Sequence, residues 1–595
     1  MSAPRRGAAG PLAVLAVLVL LAGACSNDDD AADSADDPTG SPGIPGTPGT
    51  PDAGEPLGSA AGLTDEALAL VGDLADEAPT YRLTVAVDPT SGALEGTVQA
   101  DLPVGSMDTA RLRFFPALVD ASAAVDEVTV DGEPADAELD SSLLAIPLGS
   151  GHDDRVEITA SFSYEVPELA ADDPLADLGS LGEGLQPADI GLLGRSDGVV
   201  TLGHWFPVWI PEGLDVEPTP QGFGDIGNFP AAVIRAEVDV PDGWALVSGG
   251  VSQGEDGGTA VEGAVGLRDL GMVLVEGAET VEVPVGSTTV RVVSRGDAAD
   301  TTVLDEVADE AATSLETLTD RLGPYPWTEL EVVATPLGSG VGGMEWPGMV
   351  WIEEGIFAGG LPGLGDLGDL GELGELGELG DVLGDLGGLG EAFDPDVLAS
   401  TRAWTVAHEV GHQWWHAMVG NDSMLSPTVD EPLAQYSACL VFQTAWPENA
   451  DQICEANTAG GYEQMRMLGE EDAPAAQPSD AFASSTQYGG VVYGKAPGLY
   501  GALAEEFGEE AVVEALAGVV GDHVFEQISV DQLRASLGEH LGDGAAVDAL
   551  WARWMEQAHG DEDLAVDPGQ LGDLGDLGDL GDLEELLEVL EELGG

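Results

Sequence analysis

The sequence is poor in basic residues, and this shortage excludes one broad class of function. It has 17 lysine and arginine residues against 110 aspartate and glutamate residues, a formal net charge of -93, and Lys495 is its only lysine. Such a charge repels nucleic acids and anionic lipid surfaces, and it attracts cations and basic peptides. We therefore expect no nucleic-acid partner. Most of the acidic groups are expected to form a solvated surface.

Cysteine is also scarce, so the chain cannot be held together by a network of disulfides. Only Cys439 and Cys454 remain after Cys25 near the N-terminus. In an oxidising compartment these two residues could pair, or they could be two separate buried thiols, and the sequence leaves both possibilities open.

Long apolar runs are absent except near the N-terminus. Arg5 and Arg6 precede the run "PLAVLAVLVLLAGA", which is short for a membrane span and is typical of a secretory signal. The ending "LAGAC" resembles the lipobox of bacterial lipoproteins, in which the cysteine, here Cys25, becomes lipid-modified. This resemblance implies a signal peptide over 1–24 and a chain tethered by lipid at the extracytoplasmic face of a bacterial cell membrane.

Four segments with different composition follow the predicted signal peptide along the chain. Residues 25–65 are rich in Asp, Pro, Gly, Ser and Thr, which predicts a disordered linker. Short alternating strands such as "YRLTVAVD" recur over 66–288 and predict a β-sandwich-like domain. Residues 289–560 mix helical and strand patterns, and a low-complexity insertion interrupts them at 358–394. An acidic low-complexity tail occupies 561–595. The predicted fold class is therefore α+β and multidomain.

The stretch "AHEVGH" carries the strongest chemical signal. On a helix, His408 and His412 lie one turn apart on the same side, which is the geometry that two imidazoles need to bind one zinc ion. Glu409 lies beside them, where it can take a proton from a zinc-bound water. Position 418 is a methionine, which excludes the third histidine of the metzincin arrangement. His416 is expected to be a residue at the rim of the site and not a ligand.

The downstream segment "TVDEPLAQY" resumes a helical pattern, and eighteen residues separate His412 from Glu431. This spacing resembles the aminopeptidase N family of gluzincin zinc metallopeptidases, in which a glutamate on the following helix completes the metal site. The resemblance implies one Zn²⁺ bound by His408, His412 and Glu431. It also implies a thermolysin-like mixed α/β zincin catalytic domain after the N-terminal β domain.

Two further motifs resemble the same family. "GGMEW" matches its Gly-x-Met-Glu-Asn motif with tryptophan in place of asparagine, and "YGKA" matches its Tyr-x-Lys-Gly pattern with alanine in place of glycine. The resemblance implies that Glu345 binds the α-ammonium group of the substrate, with Gly342 and Gly343 along the peptide backbone. It implies that Tyr493 stabilises the oxyanion, for which Tyr488 is the obvious competitor.

These motifs together predict a zinc-dependent hydrolase of peptides, most simply an aminopeptidase. Two alternatives stay open. One is a zinc endopeptidase with an open cleft, because the segment after Tyr493 is too short for the large C-terminal helical domain of many relatives. The other is a non-catalytic acidic binding lipoprotein. The sequence gives no oligomeric state.

Overall fold

The structure is a computed structural model, and it describes most of the chain between residues 61 and 566. The described ranges are 61–71, 74–149, 151–169, 190–196, 198–214, 217, 224, 227, 229–256, 259–296, 301–338, 341–360 and 395–566. The predicted signal peptide, Cys25, nearly all of the predicted linker, most of the insertion and the tail beyond 566 lie outside these residues.

The N-terminal part consists mainly of strands whose side chains alternate between core and surface. Along Thr80–Val87 every second residue is buried, beginning with Tyr81, because successive side chains of a strand point to opposite faces. The strands of this part are β1 (Thr80–Val87), β2 (Ala93–Leu102), β3 (Thr109–Arg113), β4 (Ala124–Val130), β5 (Glu133–Pro134), β6 (Glu138–Asp140), β7 (Leu143–Pro147), β8 (Val156–Glu165), β9 (Leu193–Ser196), β10 (Val199–Leu202), β11 (Val208–Trp209), β12 (Ala232–Asp239), β13 (Trp244–Ser248), β14 (Val251–Asp256), β15 (Thr259–Leu267) and β16 (Met272–Glu276).

Three sheets are formed by these strands. The largest has the order β14-β15-β12-β1-β2-β8-β4-β5, and two four-stranded sheets have the orders β13-β16-β10-β9 and β11-β3-β7-β6. Most neighbouring pairs are antiparallel, and β1 with β12 is a parallel pair. Their inward-facing side chains contribute to the buried core. This architecture agrees with the predicted β-sandwich-like domain.

A five-stranded sheet begins the second part of the chain. Its strands are β17 (Ala278–Val285), β18 (Thr288–Arg295), β19 (Glu329–Thr335), β20 (Gly343–Trp346) and β21 (Met349–Glu353), in the order β17-β18-β19-β21-β20. The predicted domain boundary at 288/289 therefore falls inside this sheet, within β18 and directly after its first residue. Alternation in the sequence identifies β17 as a strand, but the sheet it joins depends on pairing with β18.

The helices follow the strands for the most part. They are α1 (Leu68–Val71), α2 (Leu74–Glu77), α3 (Pro116–Val119), α4 (Thr301–Leu322), α5 (Glu354–Phe357), α6 (Pro395–Gly411), α7 (Glu431–Ala445), α8 (Ala450–Asn457), α9 (Ala459–Met467), α10 (Ser485–Tyr488), α11 (Gly498–Phe507), α12 (Glu509–His523), α13 (Val530–Leu541), α14 (Gly544–Trp554) and α15 (Gly560–Asp563), with a 3₁₀ helix at Ser479–Ala481 and a π-helix at Gly489–Lys495.

Helix α4 shows how the sequence specifies one of these elements. Its buried residues recur at three- and four-residue spacing, among them Val307, Ala311 and Leu315, and they face the core. The helix ends where Gly323 adopts a φ of 117°, a conformation that glycine reaches at little cost. Helices α6 and α7 pack against each other and against α4, so the residues at their adjoining ends are brought together.

Two features join separate parts of the fold. Cys439 of α7 and Cys454 of α8 form a disulfide with Cα atoms 5.5 Å apart, which answers the question that the sequence left open. The buried guanidinium of Arg268, from the N-terminal part, donates hydrogen bonds to the carbonyl oxygens of Ala417 and Met418, just after α6. Within the described ranges, no helix has both the length and the apolarity that crossing a bilayer requires.

Candidate active site

The two histidines of the "HEVGH" motif lie at the C-terminal end of α6. The backbone N–H of His412 donates to the carbonyl oxygen of His408 at 3.2 Å, so the helical turn continues just past the end of α6. Their Nε2 atoms are 3.1 Å apart, and each lies 3.4 Å from Oε2 of Glu431 at the first position of α7. The structure thus brings together the three residues predicted to bind zinc.

This triangle of atoms fits a single tetrahedral metal ion. Three donors bound to one zinc ion at about 2.0–2.1 Å lie about 3.3–3.4 Å from one another, close to the observed separations. Oε2 of Glu431 is buried and accepts no hydrogen bond from the described residues, so a cation would satisfy it. The side chains of His408, His412 and Glu431 form one of the groups in the described part of the chain that could hold a metal.

Neighbouring groups fix the side chain of His412 and the backbone at Glu431. Nδ1 of His412 lies 3.0 Å from the carbonyl oxygen of Trp415, which leaves the Nε2 lone pair facing the site when Nδ1 carries the proton. The side chain of Asp430 caps α7 by accepting from the backbone N–H of Glu431 at 2.9 Å, and it also accepts from the hydroxyl of Ser423. Burial raises the pKa of Glu431, but the nearby His412 and His408 outweigh it and hold that pKa well below its usual range.

Glu409 lies beside the metal triangle in a buried position. Its Oε2 has no hydrogen-bond partner among the described residues, and burial raises the pKa of its carboxyl to about 8. Gly343 of β20 makes room for it, since an added Cβ there would lie 2.4 Å from Oε1 of Glu409. The side chain is therefore available to exchange a proton with a ligand in the site.

Glu345 projects from β20 toward the same point. Donor atoms of Glu345, Glu409 and His412 all lie within 4.8 Å of one another, and all three residues are buried. Nδ1 of His416 lies 3.7 Å from Oε1 of Glu345, so His416 belongs to the neighbourhood of Glu345 and lies outside the metal triangle. Because β20 is an edge strand, its backbone has one side that could pair with an extended peptide.

Tyr493 reaches the site from the π-helix. Its hydroxyl donates a hydrogen bond of 2.6 Å to Oε1 of Glu431, on the side of the carboxylate away from the histidine contacts. The ring of Tyr488 lies 5.9 Å from that of Tyr493, and burial raises the pKa of both phenols. Both hydroxyls are thus protonated donors at neutral pH, and the contact with Glu431 favours Tyr493 for the role predicted for it.

The single lysine fastens the end of the π-helix. Nζ of Lys495 donates to Oδ1 of Asp472 at 2.7 Å and also to the carbonyl oxygen of Ala473. Oδ2 of Asp472 in turn accepts from the backbone N–H of Gly560 at 2.8 Å. This network explains the presence of Lys495 near Tyr493 as a structural anchor for the helix that carries the tyrosine.

Two residues of the site were missed by sequence reasoning. Asp430 directly precedes a helix that starts at Glu431, and an aspartate at that position is an N-cap signal that could have identified it. Gln413 directly follows His412 and is fully buried. No local pattern identifies Gln413, because its hydrogen-bond partners lie more than sixty residues away in the sequence.

Comparison with known proteins assigns the segment that carries this site. Residues 395–554 match the model of the peptidase family M1 domain. No curated protein matches the chain. The family match agrees with the predicted resemblance at the level of family M1 within this segment.

Solved structures give the fold of the larger part of the chain. The chain is similar to an M1 zinc metallopeptidase from Deinococcus radiodurans, with a TM-score of 0.53 and 16% identity over 82% of this chain and 95% of that one. A mutant of that enzyme bound to a Tyr-Ser-Ala substrate gives 0.53 and 16% over 81% and 95%. A two-domain M1 zinc metallopeptidase mutant bound to L-arginine gives 0.52 and 16% over 82% and 96%. These likenesses confirm the predicted α+β, two-part fold.

Proposed function

We propose that this chain, which carries a peptidase family M1 domain over residues 395–554, is an aminopeptidase that removes single N-terminal residues from peptides and uses one zinc ion. The observation that carries the proposal is the short distance between Glu345 and the metal-binding group. Donor atoms of Glu345, Glu409 and His412 lie within 4.8 Å of one another.

That distance suits a substrate held by its own N-terminus. In an amino acid, the α-nitrogen and the carbonyl carbon are about 2.5 Å apart, because only N–Cα and Cα–C separate them. An α-ammonium paired with Glu345 therefore places the first carbonyl next to Glu409 and His412. A second residue would not fit between them. The complex of a structural neighbour with Tyr-Ser-Ala, a tripeptide, also supports a peptide substrate.

The residues around this point can each perform one task. Glu345 binds the α-ammonium and orients the first peptide bond. Glu409 takes a proton from the attacking water and passes it to the leaving amine. Tyr493 donates a hydrogen bond to the oxyanion that develops on the carbonyl oxygen. When bound to His408, His412 and Glu431, zinc would supply Lewis acidity toward the carbonyl and lower the pKa of a water.

Paired substrates test the proposal directly. The purified, zinc-loaded chain should hydrolyse peptides with a free N-terminus far faster than the same peptides after N-acetylation. A chelator should stop the reaction, and added zinc should restore it. Equal cleavage of free and acetylated peptides would instead favour the endopeptidase alternative. Hydrolysis of neither, with one zinc bound, would favour the non-catalytic alternative.

Two variants separate the tasks of the carboxylates. Glu345→Gln should lower kcat/KM on free-amine peptides by about 10- to 100-fold, the effect expected of one charged hydrogen bond, and should leave bound zinc unchanged. Glu409→Gln should also retain zinc but abolish turnover, since an amide cannot accept the proton. Wild-type rates for Glu409→Gln on a broad panel of aminoacyl substrates would end the enzymatic proposal.

The location is proposed on the N-terminal motif alone. The "LAGAC" segment supports lipid attachment at Cys25 and a position on the extracytoplasmic face of a bacterial cell membrane. Cys25→Ser should release the protein from the membrane fraction while its peptidase activity is kept. A variant that stays in the membrane fraction would contradict the lipid anchor.

A further inference from the structure

Gln413 links the metal-binding segment to the strand that carries Glu345. It lies directly after His412, and its side chain is fully buried. Nε2 of Gln413 donates to the carbonyl oxygen of Trp346 at 2.9 Å, and Oε1 accepts from the backbone N–H of Gly348 at 2.9 Å. One amide group therefore uses both of its ends to hold the turn between β20 and β21.

The turn itself leaves little freedom for adjustment. Gly348 has a φ of 77°, which favours glycine, and an added Cβ would lie 2.2 Å from the carbonyl oxygen of Gly249 in the N-terminal part. Trp346 is buried against Trp351, with ring centroids 4.9 Å apart. The turn is thus confined between the β domain on one side and Gln413 on the other.

We infer that Gln413 is a positioning residue that sets the separation between the amine-binding carboxylate and the metal ligands, an inference that rests on the proposed aminopeptidase function. Each end of the contact is one residue from a functional group. Trp346 directly follows Glu345, and Gln413 directly follows His412. A change in the Gln413 contact would therefore move Glu345 relative to the metal site without removing either.

We expect the substrate to be bound in a displaced position, while the groups that carry out hydrolysis stay intact. A substrate would still bind Glu345 by its ammonium group, but its first carbonyl would be displaced from the point where Glu409 and the metal act. A displacement of about 1 Å at a reacting centre can reduce turnover by about 100-fold. Hydrolysis of a blocked peptide, which does not use Glu345, would not change.

Two substitutions at this position test the inference in the full-length, zinc-loaded protein. Gln413→Met keeps the length of the side chain and removes both hydrogen bonds. Gln413→Glu keeps the acceptor for Gly348 and loses the donor for Trp346. For free-amine peptides we expect kcat to fall by about 10- to 100-fold in Gln413→Met, with KM changed less than about threefold. Gln413→Glu should give an intermediate loss.

Gln487 offers a matched control. It is another buried glutamine, and within the described part of the chain its side chain bonds to backbone groups, accepting from Ala483 N–H at 2.8 Å and donating to the carbonyl oxygen of Glu471 at 2.9 Å. Gln487→Met should leave the ratio of rates on free and N-acetylated peptides at its wild-type value. Gln413→Met should lower that ratio by the same factor as its kcat, while bound zinc stays at the wild-type amount.

A readout without metal completes the test. In the zinc-free protein, hydrogen exchange of the peptide covering residues 343–353 should be faster in Gln413→Met than in the wild type, because the Gly348 N–H loses its acceptor. An unchanged substrate ratio in Gln413→Met, with zinc retained, would overturn the inference. If that variant fails to fold, an unchanged ratio in Gln413→Glu would do so. A wild type with no preference for free-amine peptides would instead refute the proposed function.

Discussion

Replacing Tyr493 with phenylalanine tests the role of the π-helix in turnover. The substitution removes one hydroxyl, whose hydrogen bond to Oε1 of Glu431 is 2.6 Å long, and keeps the buried ring. A donor to an oxyanion is worth about 2.7–4 kcal/mol in kcat. A hydrogen bond to a charged group is worth about 1.5–3 kcal/mol. Because the hydroxyl must leave Glu431 to serve the oxyanion, the net loss should be smaller, about 1–2.5 kcal/mol.

This net loss corresponds to a decrease in kcat of about 5- to 70-fold, with KM nearly unchanged. The loss of the bond to Glu431 should also weaken zinc binding by about 10- to 100-fold, because Tyr493 orients a metal ligand. The two effects separate if kcat is measured at saturating zinc and zinc affinity by competition with a chelator. Saturating zinc is needed because a variant that has lost its metal would show a larger decrease in kcat that reflects zinc loss and not the missing hydroxyl.

Tyr488→Phe is the matched control, because it removes a hydroxyl from the neighbouring tyrosine. It should lower kcat by less than about fivefold and leave zinc affinity within about threefold of wild type. The assignment would be refuted if Tyr488→Phe lost more activity than Tyr493→Phe at saturating zinc. It would also be refuted if Tyr493→Phe kept wild-type kcat.

Two further predictions concern stability. Lys495→Met should destabilise the fold by about 3 kcal/mol, because it leaves the largely buried carboxylate of Asp472 without its cation, and the double variant with Asp472→Leu should recover most of the loss in thermal unfolding. Glu331 is buried 3.2 Å from Nε of Arg291, and burial raises the pKa of its carboxyl to about 8. Between about pH 4.5 and 8 the folded chain therefore holds a proton that the unfolded chain releases, so stability falls as the pH rises, by up to about 1.4 kcal/mol per pH unit. The Tm of Glu331→Gln minus the Tm of the wild type should therefore increase from pH 5 to 8.5. A difference that stays constant over this range would contradict the prediction.

The metal-binding residues could be predicted because their geometry is local. His408 and His412 are four residues apart on a helix, so their separation is fixed by the helical repeat. Glu431 could be found because a helical pattern begins there at a spacing that resembles a known family. The structure brings these three together through the packing of α6 on α7.

Contacts between distant segments could not be predicted in this way. The bonds of Gln413 to Trp346 and Gly348 are made between residues whose spacing carries no periodic signal. The membership of β17 in the five-stranded sheet depends on its pairing with β18, although its alternation suits either part of the chain. In both cases the deciding energy comes from tertiary packing, which the sequence does not display as a motif.

In the proposed function, the residues that carry out hydrolysis and the residue that selects the N-terminus lie in different segments of the chain. The segment 395–554 that matches family M1 contains His408, Glu409, His412, Glu431 and Tyr493, but Glu345 lies outside it, before the predicted insertion. A metal site and a proton acceptor would by themselves cleave peptide bonds without regard to chain ends. Selectivity for an N-terminus then requires that a second segment hold the carboxylate of Glu345 at a fixed distance from the metal site. The buried amide of Gln413 makes that connection through two hydrogen bonds of 2.9 Å. Changes in this contact should therefore alter which peptides are cleaved before they alter whether the metal is bound.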